Sequence, residues 1–260
     1  MSQLPALALT PEAEELQRKR SELAQIEVAL SEGELELTTL RAELAAFERR
    51  YLELVGRRYA ELDRLEAQIA ELLARRDPGD DAAQSAAREA RARAHASAEA
   101  AGTPDHEPAE RDFRPSESLK RLYKQAAVLM HPDLATDPAA KARRHRFMSE
   151  LNNAYSDGDE DRIRELLREW HSHPENVEGD GIAADLVRVI RQIAQIRTRL
   201  DAIAREQQET RESDLFRLKA RVDEATRDDR DLLQEMAERV QMGIDSARTR
   251  LTRLTGMAKT

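Results

Sequence analysis

Residues 119 to 155 read LKRLYKQAAVLMHPDLATDPAAKARRHRFMSELNNAY, the stretch where the chain departs from long, charged, repetitive helix. One amphipathic run ends at Met130, the tripeptide His131-Pro132-Asp133 follows, and a second run ends at Tyr155. Pro132 disfavours helix at the residue before it, and Thr136-Asp137-Pro138 offers an N-cap followed by proline at the first helical position. The pattern predicts a helical hairpin with a polar tip. A short third helix is expected after Asp157-Gly158-Asp159, with Ile163, Leu166, Leu167 and Trp170 covering one face. Large apolar residues, among them Phe113, Leu119, Leu122, Tyr123, Met130, Phe147, Met148, Leu151 and Tyr155, make 113–170 the one compact domain. Tyr155 and Trp170 are expected in its core.

Outward from this domain the spacing changes to long heptads. Thr10-Pro11-Glu12 opens a helix in which Leu16, Leu23, Ile26, Leu30, Leu37, Leu40, Leu44, Phe47, Tyr51 and Leu54 keep a 3-4 spacing, broken only by Gly33. This is a coiled-coil seam over 11–77. After Leu54 the apolar series resumes four residues out of phase at Leu62, beside Gly56, which reads as a stutter. A second coiled coil is expected over 182–255, from Ile182, Leu186, Val189, Ile193, Ile196, Leu200 and Ile203, with an interruption at Gln207 and Thr210 and a restart at Leu215. Each arm spans roughly 65 to 75 residues, or about 100 Å at 1.5 Å per residue. With the first arm ending near the compact domain and the second beginning there, an antiparallel intramolecular pair is expected, with homodimerisation as the other way to bury the seams. Residues 78–112 contain no Leu, Ile or Val until Phe113 is reached, so this segment is expected to be a disordered or weakly helical linker. Its His95 and His106 are expected to be solvated.

Bulk composition agrees with an all-α fold and sets limits on function. The chain has 260 residues, 36% charged and 3% aromatic, with 9 Gly and 9 Pro, a balance typical of long helices. Zero cysteines remove disulfides, thiolate catalysis and cysteine-ligated metal sites. No signal peptide is evident, and no segment reaches the roughly 18 apolar residues of a membrane span. The expectation is a cytoplasmic protein away from membranes. A net charge of −9 disfavours indiscriminate nucleic-acid binding, and the compact domain lacks exposed aromatics that would stack bases.

Against this acidic background one region is basic. Between Arg114 and Arg146 stand eight basic residues (Arg114, Lys120, Arg121, Lys124, Lys141, Arg143, Arg144 and Arg146) and three acidic ones (Glu117, Asp133 and Asp137). Lys120, Arg121 and Lys124 fall within one turn on the first helix of the hairpin, a patch that would steer an acidic partner. A merely solvated helix face is the alternative reading of such a patch.

The same residues resemble a J domain, the module by which DnaJ-type co-chaperones engage DnaK-type chaperones. Leu119–Met130, His131–Asp133 and Ala139–Tyr155 correspond to that family's second helix, HPD loop and third helix. Phe147-Met148-Ser149-Glu150-Leu151-Asn152-Asn153-Ala154-Tyr155 is similar to its F-x-x-L/I-N-x-A-Y pattern, with one extra position after Phe147. The family's first helix has no clear counterpart, and a Gly/Phe-rich segment is missing. The arrangement looks like bacterial J-domain proteins in which the module sits between coiled-coil arms. The resemblance implies that His131, Pro132 and Asp133, with Lys120, Arg121 and Lys124, bind a DnaK-type chaperone and help trigger its ATP hydrolysis. The chain itself would not be an enzyme and would need no cofactor. His131, Asp133 and His145 are conceivable metal ligands, as are His171 and His173, but no established metal or catalytic motif surrounds them. The competing expectation is a coiled-coil scaffold whose J-like hairpin has lost chaperone coupling.

Overall fold

The computed structural model describes residues 10–102, 113–135, 137–172 and 181–256. Thr136, residues 103–112 with His106, and residues 173–180 with His173 lie outside them. In chain order the elements are α1 (Pro11–Tyr51), a π-helical turn (Leu52–Gly56), α2 (Arg57–Arg76), α3 (Asp81–Ala100), α4 (Glu117–Met130), a 3-10 turn (Pro132–Leu134), α5 (Pro138–Ser156), α6 (Glu160–Ser172), α7 (Ile182–Glu212), α8 (Asp214–Arg227) and α9 (Leu232–Gly256). The class is all-α, with no strand among the described residues. No helix among them is long and apolar enough to cross a membrane.

Two compact units share these elements: Met1–Glu43 with Phe113–Ser213, and Leu44–Asp112 with Asp214–Thr260. They do not follow the four successive segments expected from the sequence. Each unit instead takes part of both arms.

In the first unit α1 lies beside α7. Arg20 pairs with Asp185 at 3.0 Å and Arg41 with Glu206 at 2.7 Å. Leu16 packs with Val189 and Ile193, and Leu30 and Leu37 pack with Ile196 and Ile203. Residue numbers rise together along both helices, so the pair is parallel. This corrects the antiparallel expectation, which placed the compact domain at the end of the arms. The domain packs against the middle of α1 instead, where Leu35 joins its core.

That core is built by α4, α5 and α6, with Tyr123, Met130, Leu151, Tyr155, Ile163 and Leu166 fully buried. Burying each such side chain stabilises by about 1.5–3 kcal/mol. Local chemistry fixes the helix ends. Ser116 Oγ accepts from Leu119 N at 2.9 Å, and Asp137 accepts from Ala139 N and Ala140 N. Gly158, at φ +72°, lets the chain reverse between α5 and α6, and Asp159 then accepts from Arg162 N. Phe147 and Trp170 meet edge to face at 5.4 Å. The expected core positions of Tyr155 and Trp170 are observed.

The second unit repeats the parallel pairing. Glu61 pairs with Arg248, and Arg76 Nη2 donates to Leu254 O at 2.6 Å. Leu65 and Ile69 pack with Val240 and Ile244. The stutter takes the form of the π-helical turn, in which Arg57 N–H reaches Leu52 O and the Arg58 guanidinium covers Leu54 O. A Cβ on Gly56 would lie 2.9 Å from Leu52 Cδ2, the far end of a half-buried side chain that can turn aside.

Two expectations fail in this unit. Residues 81–100 are a regular helix rather than a weak linker: Asp80 caps it, Gln84 Nε2 donates to Ala74 O, Arg91 pairs with Glu71, and Ala87 and Ala90 are buried. Alanine offers little surface to bury, but it has the highest helix propensity and costs no side-chain entropy. Because α3 runs back along α2, the chain reverses after the first arm. The second arm is also not continuous. It breaks at Ser213, within the interruption expected between Gln207 and Leu215, and again, where none was expected, over Asp228–Asp231, where Asp229 takes φ +55°.

Candidate functional site

The expected tip of the hairpin is not presented to solvent. His131 closes α4 through its backbone N–H to Ala127 O, Pro132 ends the helix, and the 3-10 turn carries the chain to Ala135. Its imidazole is 2% exposed and rests on Glu34 of α1, with Nε2 3.0 Å from Glu34 Oε1. Nδ1 accepts from Asp133 N at 3.2 Å. These bonds select the tautomer in which Nε2–H donates to the carboxylate.

Glu34 is itself buried and is gripped from the other side by Arg199 of α7. Arg199 Nε donates to Glu34 Oε1 at 2.7 Å and Nη2 to Oε2 at 3.1 Å. Arg199 Nη1 continues to Glu206 Oε1, whose other oxygen accepts from Arg41. Two carboxylates and two guanidiniums alternate, so the buried charge is compensated. Burial pushes the Glu34 carboxyl up, but the hydrogen bonds from His131 and Arg199 and the guanidinium charge outweigh it and hold the group below its ordinary value. Burial alone would lower the Arg199 guanidinium, and Glu34 and Glu206 reverse that shift.

The rest of the loop touches α7. Gln192 Nε2 donates to Leu134 O at 2.9 Å, and Leu134 packs into the α1–α7 seam with Ile196 and Leu200. Pro132 is half-buried. Asp133 is 17% exposed and meets Lys141 at 3.4 Å. On the neighbouring face Thr38 Oγ1 lies 3.0 Å from Tyr123 OH, which donates to Asn152 Oδ1, and Thr39 Oγ1 lies 2.7 Å from Tyr155 OH. Burial pushes both phenols upward, and both stay neutral.

The basic residues divide. Lys124 reaches Glu32 of α1 at 3.5 Å, Lys120 pairs with Glu117 within α4, and Arg121 is exposed. Arg144 serves the fold: it donates to Leu129 O and sits 4.8 Å from the centre of the Trp170 ring. His145 and His171 are exposed. No group of three or more His, Asp or Glu among the described residues is placed to hold a metal ion.

Glu34, Arg199, Thr38 and Gln192 were not singled out from the sequence. A signal was present, since Ser31, Glu34, Leu35 and Thr38 repeat at 3-4 spacing beside the apolar seam. A search for apolar periodicity passes over a mostly polar stripe. Among the described residues the buried polar side chains are Ser31, Glu34, Thr38, His131 and Gln207. They share one junction: Gln207 Nε2 bonds to Gly33 O, beside Glu34. Compared with protein-family models, curated proteins and solved structures, the chain matches none.

Proposed function

We propose that this protein is a J-domain-like co-chaperone that docks a DnaK-type chaperone through the α4–α5 hairpin and stimulates its ATPase. The observation that carries this reading is the hairpin itself. His131 caps a 3-10 turn that Pro132 and Asp133 begin, between α4 and α5 and directly after a helix that bears Lys120, Arg121 and Lys124. Proline fixes one dihedral, the Asp133 N–H is held by His131, and the carboxylate of Asp133 stays partly accessible. An acidic partner surface complements this arrangement.

The test is an ATPase assay with the cognate DnaK-type chaperone. The full chain should stimulate turnover, and His131→Gln or Asp133→Asn should each remove the stimulation. Stimulation that survives both substitutions, or none under any condition, contradicts the reading.

The burial of His131 against Glu34 favours a second reading, a helical scaffold whose hairpin is a permanent packing element without chaperone coupling. Pull-downs that recover other partners and never the chaperone would support it.

A further inference from the structure

We infer that the α1–α7 pair is an internal competitor for the docking face, so that the hairpin as folded here is closed and the partner binds after the loop leaves its seat. The inference rests on the docking reading above and adds its regulation. The residues that would meet an acidic partner already meet acids of the same chain. Lys124 faces Glu32, His131 faces Glu34, and Glu43 acts electrostatically on Lys120. All three carboxylates belong to α1. The helix therefore offers the hairpin the same chemistry that a carboxylate-bearing partner would offer, with the advantage in effective concentration of a group in the same chain.

The seat is built from both arms. Glu34 comes from α1, while Arg199 and Gln192 come from α7. A loop bound across a two-helix seam is sensitive to that seam. If the helices separate or slide near Glu34 and Arg199, His131 loses its acceptor and Leu134 loses its packing. The seam is polar at this level: Gly33 stands opposite Leu200 and Ile203, and Gln207 occupies the next turn and bonds to Gly33 O. A polar layer in a helix interface is less stabilising than apolar packing, and it depends on every member staying paired. Whatever engages the arms would thereby expose the docking loop.

Hydrogen exchange over residues 130–135 and chaperone affinity, measured together on the full chain, test this. Glu34→Gln keeps the shape of the seat and removes its charge. Gln192→Ala removes only the bond to Leu134 O and protects the test against a folding defect in the first variant. Both should retain the helical circular dichroism of the parent. Glu34→Gln should speed exchange of the loop and tighten chaperone binding by about tenfold each, Gln192→Ala should do so by a smaller factor, and Asp133→Asn in either background should abolish binding. Folded variants with unchanged loop exchange overturn the closure. So does faster exchange accompanied by unchanged or weaker binding to a chaperone that still requires Asp133. If loop exchange rises but no form binds the chaperone, the closure stands and the co-chaperone reading fails.

Discussion

The two units pair their helices in the same parallel sense but fill the seams differently. In the second unit Phe47, Val55, Val222, Leu233 and Ala237 form one apolar cluster, and Leu65, Ile69, Val240, Ile244 and Ala247 another. In the first unit the apolar contacts are interrupted by Ser31, Glu34, Thr38 and Gln207, and His131 is inserted among them. Apolar burial is nondirectional and suffices to hold two helices together. A buried charged network is seldom the most stable solution and is sensitive to loss of any one partner. The contrast suggests that the second unit is built to persist and the first to respond.

Breaking that contrast should produce the largest effect at Glu34. Glu34→Ala strands Arg199 without its buried carboxylate and should cost about 3–5 kcal/mol, measured by denaturant unfolding, with exchange of the loop sharply increased. The matched change in the other unit, Leu233→Ala, should cost about 2–5 kcal/mol by cavity formation and leave loop exchange unaltered. Equal effects of both on the loop would erase the distinction between the seams. The smallest effect is expected for Thr38→Val, which removes the bond to Tyr123 and should cost about 1 kcal/mol.

Acid sharpens the comparison further. Glu34 titrates lower in the folded chain than its ordinary value of 4.5, so its stabilising contribution is present above that value and is lost as pH falls through the folded one. The stability difference between the parent and Glu34→Gln should therefore narrow below about pH 4.5. A gap that stays constant there would mean that Glu34 does not act through its charge.

How much of this was legible in the sequence follows from which signals are local. The hairpin, the helix start at Asp137-Pro138, the turn at Gly158 and the slip at Gly56 are short-range, and each was readable. The direction of the helix pair was not, because a 3-4 spacing serves parallel and antiparallel partners alike. Only α3, written in alanine and underrated for lack of large apolar residues, shows that the chain reverses after the first arm. The pairing itself can be checked with cysteines at Arg20 and Asp185 in this cysteine-free chain. A bis-maleimide should link them within one molecule, whereas an antiparallel pair would not bring them together.

His131 was read as part of an exposed tip, and the fold buries it. Its partner Glu34 lies 97 residues away in sequence, and Arg199, which holds Glu34, lies 165 residues from it; nothing in the heptad pattern marks a glutamate as an interior acceptor. The basic face of the hairpin was legible as chemistry, but its contacts with α1 were not.

The most direct test is the accessibility of His131 to diethyl pyrocarbonate, read residue by residue by mass spectrometry. His95, His145 and His171 are exposed and serve as references in the same sample. The closed seat predicts that His131 is modified far more slowly than these three, and that Glu34→Gln brings its rate toward theirs. Modification of His131 at the reference rate in the unaltered protein would contradict the account.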